Sequence, residues 1–192
     1  MNKGLVSAVR GGLAELADPG KAPGMQQYMK SEMPYRGVAK PERALLTKKV
    51  FAEYQVAGAE DLVETTLELW RGATYREERY IAIDLTGQRR YMRWQNVTLL
   101  PLYEEMIVTG AWWDYVDELA IRRVGPILRG EPEVVTPIMR AWSTDEDPWR
   151  RRTSIICQVS AKLDTDTDLL AEAIEANIGD KDFFLRKGIG WA

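Results

Sequence analysis

The sequence predicts an all-α fold, a curved superhelical stack of antiparallel helix pairs (an α-solenoid). Three observations carry the prediction. Apolar residues keep a 3.6-residue phase through almost the whole chain, and no stretch shows the sustained two-residue alternation of a half-buried strand. Polar or Gly/Pro joints interrupt that phase at intervals suited to short helices. A loose repeat also places Arg79, Asp117, Arg152 and Lys187 at one register, with separations of 38, 35 and 35 residues. Spacings of this size mark stacked helical pairs whose equivalent residues line one face.

Leu5, Val6, Val9, Leu13 and Leu16 set the phase of a first helix, which Asp18-Pro19-Gly20 stops. A second helix is expected from Met25 to Met33, broken by Pro34. Pro41-Glu42-Arg43 opens a third, with proline at its start and an acid close behind. Further helices are expected over 59–71, 74–86, 97–109, 112–128, 132–143, 148–163, 166–178 and 180–191. Asp164 and Thr165 are candidate N-caps for the penultimate one, with Asp166 and Asp168 in its first turn. The expected organisation is one domain over residues 1–192. The final apolar helix stops without a polar tail, so the expectation includes a missing C-terminal extension.

Composition narrows the chemistry. Of 192 residues, 45% are hydrophobic and 29% charged, which is ordinary for a globular protein. The chain has no apolar run long enough to span a bilayer and no signal-peptide core, so it reads as cytoplasmic. Its one cysteine, Cys157, excludes an internal disulfide and a Cys-x-x-Cys site, and its apolar neighbours predict that it is buried. Histidine is absent, which removes Ser-His-Asp and Cys-His catalysis and the histidine zinc motifs. An enzyme built on this chain must work through carboxylates, Lys, Tyr or fixed electrostatics. A formal net charge of −3 argues against a generally basic coat, but it leaves room for a local basic groove.

Two segments could carry chemistry. Trp113 and Asp117 are four residues apart and share a helix face, so an aromatic ring stands beside a carboxylate. Such a pair can bracket a cation or a group that becomes one. The competing reading is that Trp112 and Trp113 are core and that Asp117 pairs with a neighbouring arginine. Asp147-Pro148-Trp149-Arg150-Arg151-Arg152 puts three cations at a helix start, where the macrodipole disfavours them. A phosphate would relieve that, and so would Asp145, Glu146 and Asp147. Lys187 and Trp191 share a face of the last helix.

Four stretches together resemble the HEAT-like-repeat alkylpurine DNA glycosylases, the bacterial DNA alkylation repair enzymes. They are Tyr28-Met29-Lys30 with Gly37-Val38-Ala39-Lys40-Pro41-Glu42-Arg43, then Trp112-Trp113-Asp114-Tyr115-Val116-Asp117, then Trp149-Arg150-Arg151-Arg152, and Phe183-Phe184-Leu185-Arg186-Lys187-Gly188-Ile189-Gly190-Trp191. The resemblance implies HEAT-like helix pairs and a catalytic cleft formed by Trp113, Asp117 and Trp191. It implies that Arg152, Arg151, Lys187, Tyr28, Lys40 and Arg43 hold the DNA. The implied reaction is hydrolysis of the N-glycosidic bond of cationic N3- or N7-alkylated purines, such as 3-methyladenine or 7-methylguanine, in double-stranded DNA. The alkylated base leaves already charged, so a histidine-free chain needs no general acid. No cofactor or metal is implied, and the protein is expected to act as a nucleoid-associated monomer. Ala39-Lys40 stands where the family more usually has a polar pair, which bears on lesion range. The alternative class is a non-catalytic helical-repeat module that binds damaged or branched DNA, or a protein partner.

Overall fold

In the computed structural model, which describes every residue from Met1 to Ala192, the chain forms helices and turns and no strand. The helices divide between two compact units, Met1–Tyr91 and Met92–Ala192. None of them is long and apolar enough to cross a membrane.

The first unit contains α1 (Lys3–Glu15), α2 (Ala22–Met29), α3 (Lys40–Glu53), α4 (Ala59–Arg71) and α5 (Arg76–Thr86). Asn2 caps α1 by accepting the Leu5 N–H at 2.9 Å, and Leu5, Val9 and Leu13 then form a fully buried stripe. That stripe packs on α3, α4 and α5, where Leu62, Leu69, Ile81 and Leu85 are equally buried. Fully burying each such side chain contributes roughly 1.5–3 kcal/mol relative to exposure. Arg10 ties α1 to the α4–α5 corner through Glu68 at 3.1 Å and Glu78 at 3.0 Å.

The second unit contains α6 (Leu100–Gly110), α7 (Trp113–Leu119), α8 (Gly125–Gly130), α9 (Pro132–Ser143), α10 (Pro148–Ile156), α11 (Thr167–Glu175) and α12 (Phe183–Ile189). α10 is its hub and packs on α6, α7, α9, α11 and α12. Ala120, Ile155, Ile156, Ala173 and Leu185 make a buried cluster, closed at the side by Ile121 and Ile189. These contacts fix the turn after α7, the end of α10, α11 and α12 against one another.

The α-class and most elements match the sequence reading, but several bounds differ for local reasons. The second helix starts and ends earlier than Met25–Met33. Pro23 lies in its first turn, and Lys30 adopts a left-handed conformation at φ 50° that stops it. The penultimate helix is capped by Asp166 rather than by Asp164 or Thr165, since the Asp166 carboxylate accepts the Leu169 N–H at 3.0 Å. α10 ends at Ile156 instead of 163, and the last helix covers Phe183–Ile189 rather than 180–191. A 3-10 segment, Arg89–Trp94, went unassigned in the sequence.

The expected helix over 112–128 is interrupted by a π-helical turn at Ala120–Val124. There the Gly125 N–H reaches back to the Ala120 carbonyl, five residues away. Pro126 has no N–H for the Arg122 carbonyl, and the Arg123 guanidinium supplies the missing donor at 3.0 Å. Gly125 lets this turn approach α10 closely. A methyl group there would lie 2.1 Å from the Cys157 carbonyl oxygen. Cys157 is fully buried, as its neighbours imply, and burial pushes its thiol up to about 12.

Candidate active site

Asp117 sits in the last turn of α7, a helix held down by the buried side chains of Tyr115, Val116 and Leu119. Its carboxylate faces Arg152, which projects from α10. The two form a bidentate pair. Arg152 Nε donates to Asp117 Oδ1 at 2.7 Å, and Nη2 donates to Oδ2 at 2.9 Å. Arg152 Nη1 donates to the Phe184 carbonyl at the start of α12. The Arg152 side chain is 2% exposed and that of Asp117 is 14% exposed. The carboxylate is thus fixed on one side and still reachable from solvent. Burial pushes its pKa above the ordinary aspartate value, Arg152 pulls against that, and Asp114 adds a smaller push upward.

One tryptophan lies over this pair, and a second precedes Asp117 by one helical turn. The Trp191 ring has the Arg152 guanidinium 5.3 Å from its centroid, and 54% of Trp191 is exposed. Trp113 is the first residue of α7, one turn before Asp117, and is half-buried. Trp112, its neighbour, is packing. It meets Trp149 at 6.3 Å and Phe184 at 5.4 Å between centroids, and Trp149 and Phe184 are 5.1 Å apart. This aromatic cluster braces the Phe184 carbonyl that holds Arg152. Both indoles are half-buried, and Trp112 is the one held in the aromatic cluster.

The arginine triplet on α10 is neutralised within the chain. Asp147 caps the helix through the N–H groups of Trp149 and Arg150 at 2.8 and 2.9 Å. Arg150 pairs with Glu104 at 2.8 Å and with Asp145 at 3.2 Å. Arg151 pairs with Asp180 at 2.6 Å. Each cation thus has a carboxylate on a different element. The row expected at one register resolves similarly: Asp117 meets the cation 35 residues later, and Lys187 is exposed on α12. Arg79 belongs to the first unit, with its guanidinium 4.7 Å from the Trp70 ring centroid.

The first unit carries the other expected contact residues. Tyr28 is 80% exposed at the end of α2, and Lys40 is exposed at the first position of α3. Arg43 stacks 4.4 Å from the Tyr80 ring centroid and lies 3.8 Å from Asp84. The residue that sequence reading missed is Glu77. Fully buried at the start of α5, it accepts the backbone N–H groups of Arg36, Gly37 and Val38 at 2.9–3.0 Å. The one available signal was Gly37, whose φ of 84° suits glycine alone.

Residues 9–192 match the model of a family described as "DNA alkylation repair enzyme". The chain is also similar to a solved structure described as a predicted DNA alkylation repair enzyme from Enterococcus faecalis. The TM-score is 0.79 and the identity 29%, over 91% of this chain and 80% of that one. No curated protein matches the chain.

Proposed function

This chain belongs to the DNA alkylation repair enzyme family, and from that premise we propose that it is a DNA N-glycosylase. Its substrate is a cationic N3- or N7-alkylated purine in duplex DNA. The observation that carries this reading is the partly open carboxylate of Asp117, locked by Arg152 and placed one helical turn from Trp113. Cleaving the glycosidic bond of a charged purine develops positive charge on the deoxyribose. Asp117 stabilises that charge and orients the attacking water, while the leaving base needs no proton. The faces of Trp113 and Trp191 pack against the sugar and favour the same charge.

Arg152 orients Asp117. A phosphate contact by Arg152 would require it to leave a carboxylate and a carbonyl that already hold three of its nitrogens. Arg151 is similarly held by Asp180 and Asn177. The exposed groups, Lys187 in the second unit and Tyr28 and Lys40 in the first, contact the DNA backbone together with Arg43.

The test is release of free 7-methylguanine from methylated duplex DNA, with a bulky N-alkylpurine in parallel. Release by the parent protein that is lost in Asp117→Asn supports the assignment. A parent that binds duplex but releases no N-alkylpurine leaves the binding-module reading in its place.

A further inference from the structure

The first turn of α5 holds the whole segment that runs from α2 to α3. Arg76 donates from Nη1 to Ser31 Oγ at 3.2 Å, and its backbone N–H donates to the Pro34 carbonyl at 2.9 Å. Glu77 takes the N–H groups of Arg36, Gly37 and Val38. Tyr80 shares a 2.8 Å hydrogen bond with the Tyr35 hydroxyl, and the Arg36 guanidinium lies 4.0 Å from the Tyr75 ring centroid. Four residues between Tyr75 and Tyr80 therefore hold the connection between Ser31 and Val38. Tyr28 stands just before that connection, and Lys40 and Arg43 just after it.

The geometry at Glu77 is that of an anion site. Successive backbone N–H groups converge where a right-handed residue is followed by a left-handed one, and the concavity so formed binds anions. Here the anion is the chain's own carboxylate, near the start of a helix whose dipole also favours it. Gly37 makes the turn possible, and a methyl group there would lie 2.0 Å from the Asp18 carbonyl oxygen. The charge on Glu77 is thereby spent on backbone geometry.

We propose that Glu77 is a positioning residue for DNA binding: by holding the Arg36–Val38 amides it sets the presentation of Tyr28, Lys40 and Arg43 to the phosphate backbone. The inference rests on the DNA-contact part of the function proposed above and not on its catalytic part. Glu77→Gln keeps the shape but removes the charge, and it turns an amide N–H2 toward backbone donors. The affected bonds are charge-assisted, so a rise in the duplex dissociation constant of roughly tenfold is expected. The rate of base release at saturating DNA stays within about twofold, because the reacting groups lie on α7 and just past the end of α12. The amides of residues 36–38 lose protection from hydrogen exchange.

The deciding experiment measures binding to unmodified duplex DNA for the parent, Glu77→Gln, Lys40→Ala and the double variant, with folding checked by circular dichroism. If Glu77 acts through this segment, its effect shrinks in the Lys40→Ala background. An unchanged dissociation constant in folded Glu77→Gln overturns the proposal, and so does an effect that persists in full beside Lys40→Ala. Should Glu77→Gln not fold, Tyr35→Phe loosens the same segment at its far side. A rise of about twofold or more that vanishes beside Lys40→Ala then supports the proposal, and no rise overturns it. Because unmodified duplex is used, a parent that binds but releases no base refutes the catalytic assignment alone.

Discussion

Glu77 and Asp117 are both carboxylates withdrawn from water, one in each unit, and their partners differ in kind. Glu77 is fully buried and faces three backbone N–H groups, which cannot move without moving the chain. Asp117 keeps 14% of its side chain exposed and faces one arginine side chain. Backbone donors make a carboxylate a fixture of the fold. A single guanidinium fixes its direction but leaves the other side open to a second positive charge. Burial pushes the Asp117 pKa upward against the pull of Arg152, so its negative charge is incompletely compensated. An incompletely compensated anion is what a developing sugar cation requires.

The sharpest way to break this contrast is Asp117→Asn. It preserves size and removes the charge that would meet the sugar, and loss of one preorganised stabiliser commonly costs on the order of a hundredfold or more in rate. Single-turnover release of 7-methylguanine should fall by that much, with duplex binding preserved or tightened. Release at the parent rate would remove Asp117 from the mechanism.

Arg152→Met sharpens the contrast from the other side. It leaves Asp117 without its cation, and breaking a buried pair commonly costs about 3–5 kcal/mol, with the low end expected here because Asp117 retains some solvent. Denaturant titration reads that loss. The pH profile gives an independent measure. Asp117 has a folded pKa above its unfolded value, so its contribution to stability is fully present below the unfolded pKa and lost as pH rises through the folded one. If Asp117 acts as proposed, activity runs the opposite way, because the mechanism uses the ionised form. The acid limb of the rate should therefore lie above the ordinary aspartate range. It should move higher in Arg152→Met, where the downward pull is gone. A limb that stays put on removing Arg152 would show that another group titrates there.

The sequence made parts of both regions legible, and the limits have a physical pattern. The helix over 59–71 was read with its observed bounds because Gly58 and Gly72 flank a strong apolar phase, which is local information. The adjacency of Trp113 and Asp117 was legible for the same reason, being one turn of one helix. The partner of Asp117 was only half legible: the 35-residue spacing put Arg152 at the same register, but the triplet fitted a phosphate site and a face balanced by Asp145, Glu146 and Asp147 equally well. Its compensation comes from the nearby Asp145 and, from elsewhere in the fold, from Asp117, Asp180 and Glu104. The π turn at Ala120–Val124 depends on how close Gly125 comes to Cys157, a tertiary contact. Glu77 left almost no trace, because its partners are backbone amides and the identities of Arg36 and Val38 do not announce them.

Trp191→Ala is expected to have a smaller effect. The ring lies over Arg152 but takes none of its hydrogen bonds, so Asp117 keeps both contacts when the ring is removed. On the proposed mechanism, what is lost is a face beside the sugar and a cation–π contact of about 0.5–1 kcal/mol. A fall in the release rate of roughly tenfold, with a barely changed acid limb, is the expected result. A shift of that limb as large as the one in Arg152→Met would mean that Trp191 holds the guanidinium in place.

The smallest effects compare the two units directly. Lys187→Ala and Lys40→Ala each remove one exposed cation. If each meets one phosphate, each variant should reduce the slope of log binding constant against log salt by about 0.9. The loss should be similar on every duplex sequence, because phosphate contacts position the protein without reading bases. The two cations lie on different units and share no partner, so the double variant should lose about twice as much. A slope that changes for Lys187→Ala alone would confine DNA contact to the unit that carries Asp117. That outcome would take Glu77 and the segment it holds out of DNA recognition.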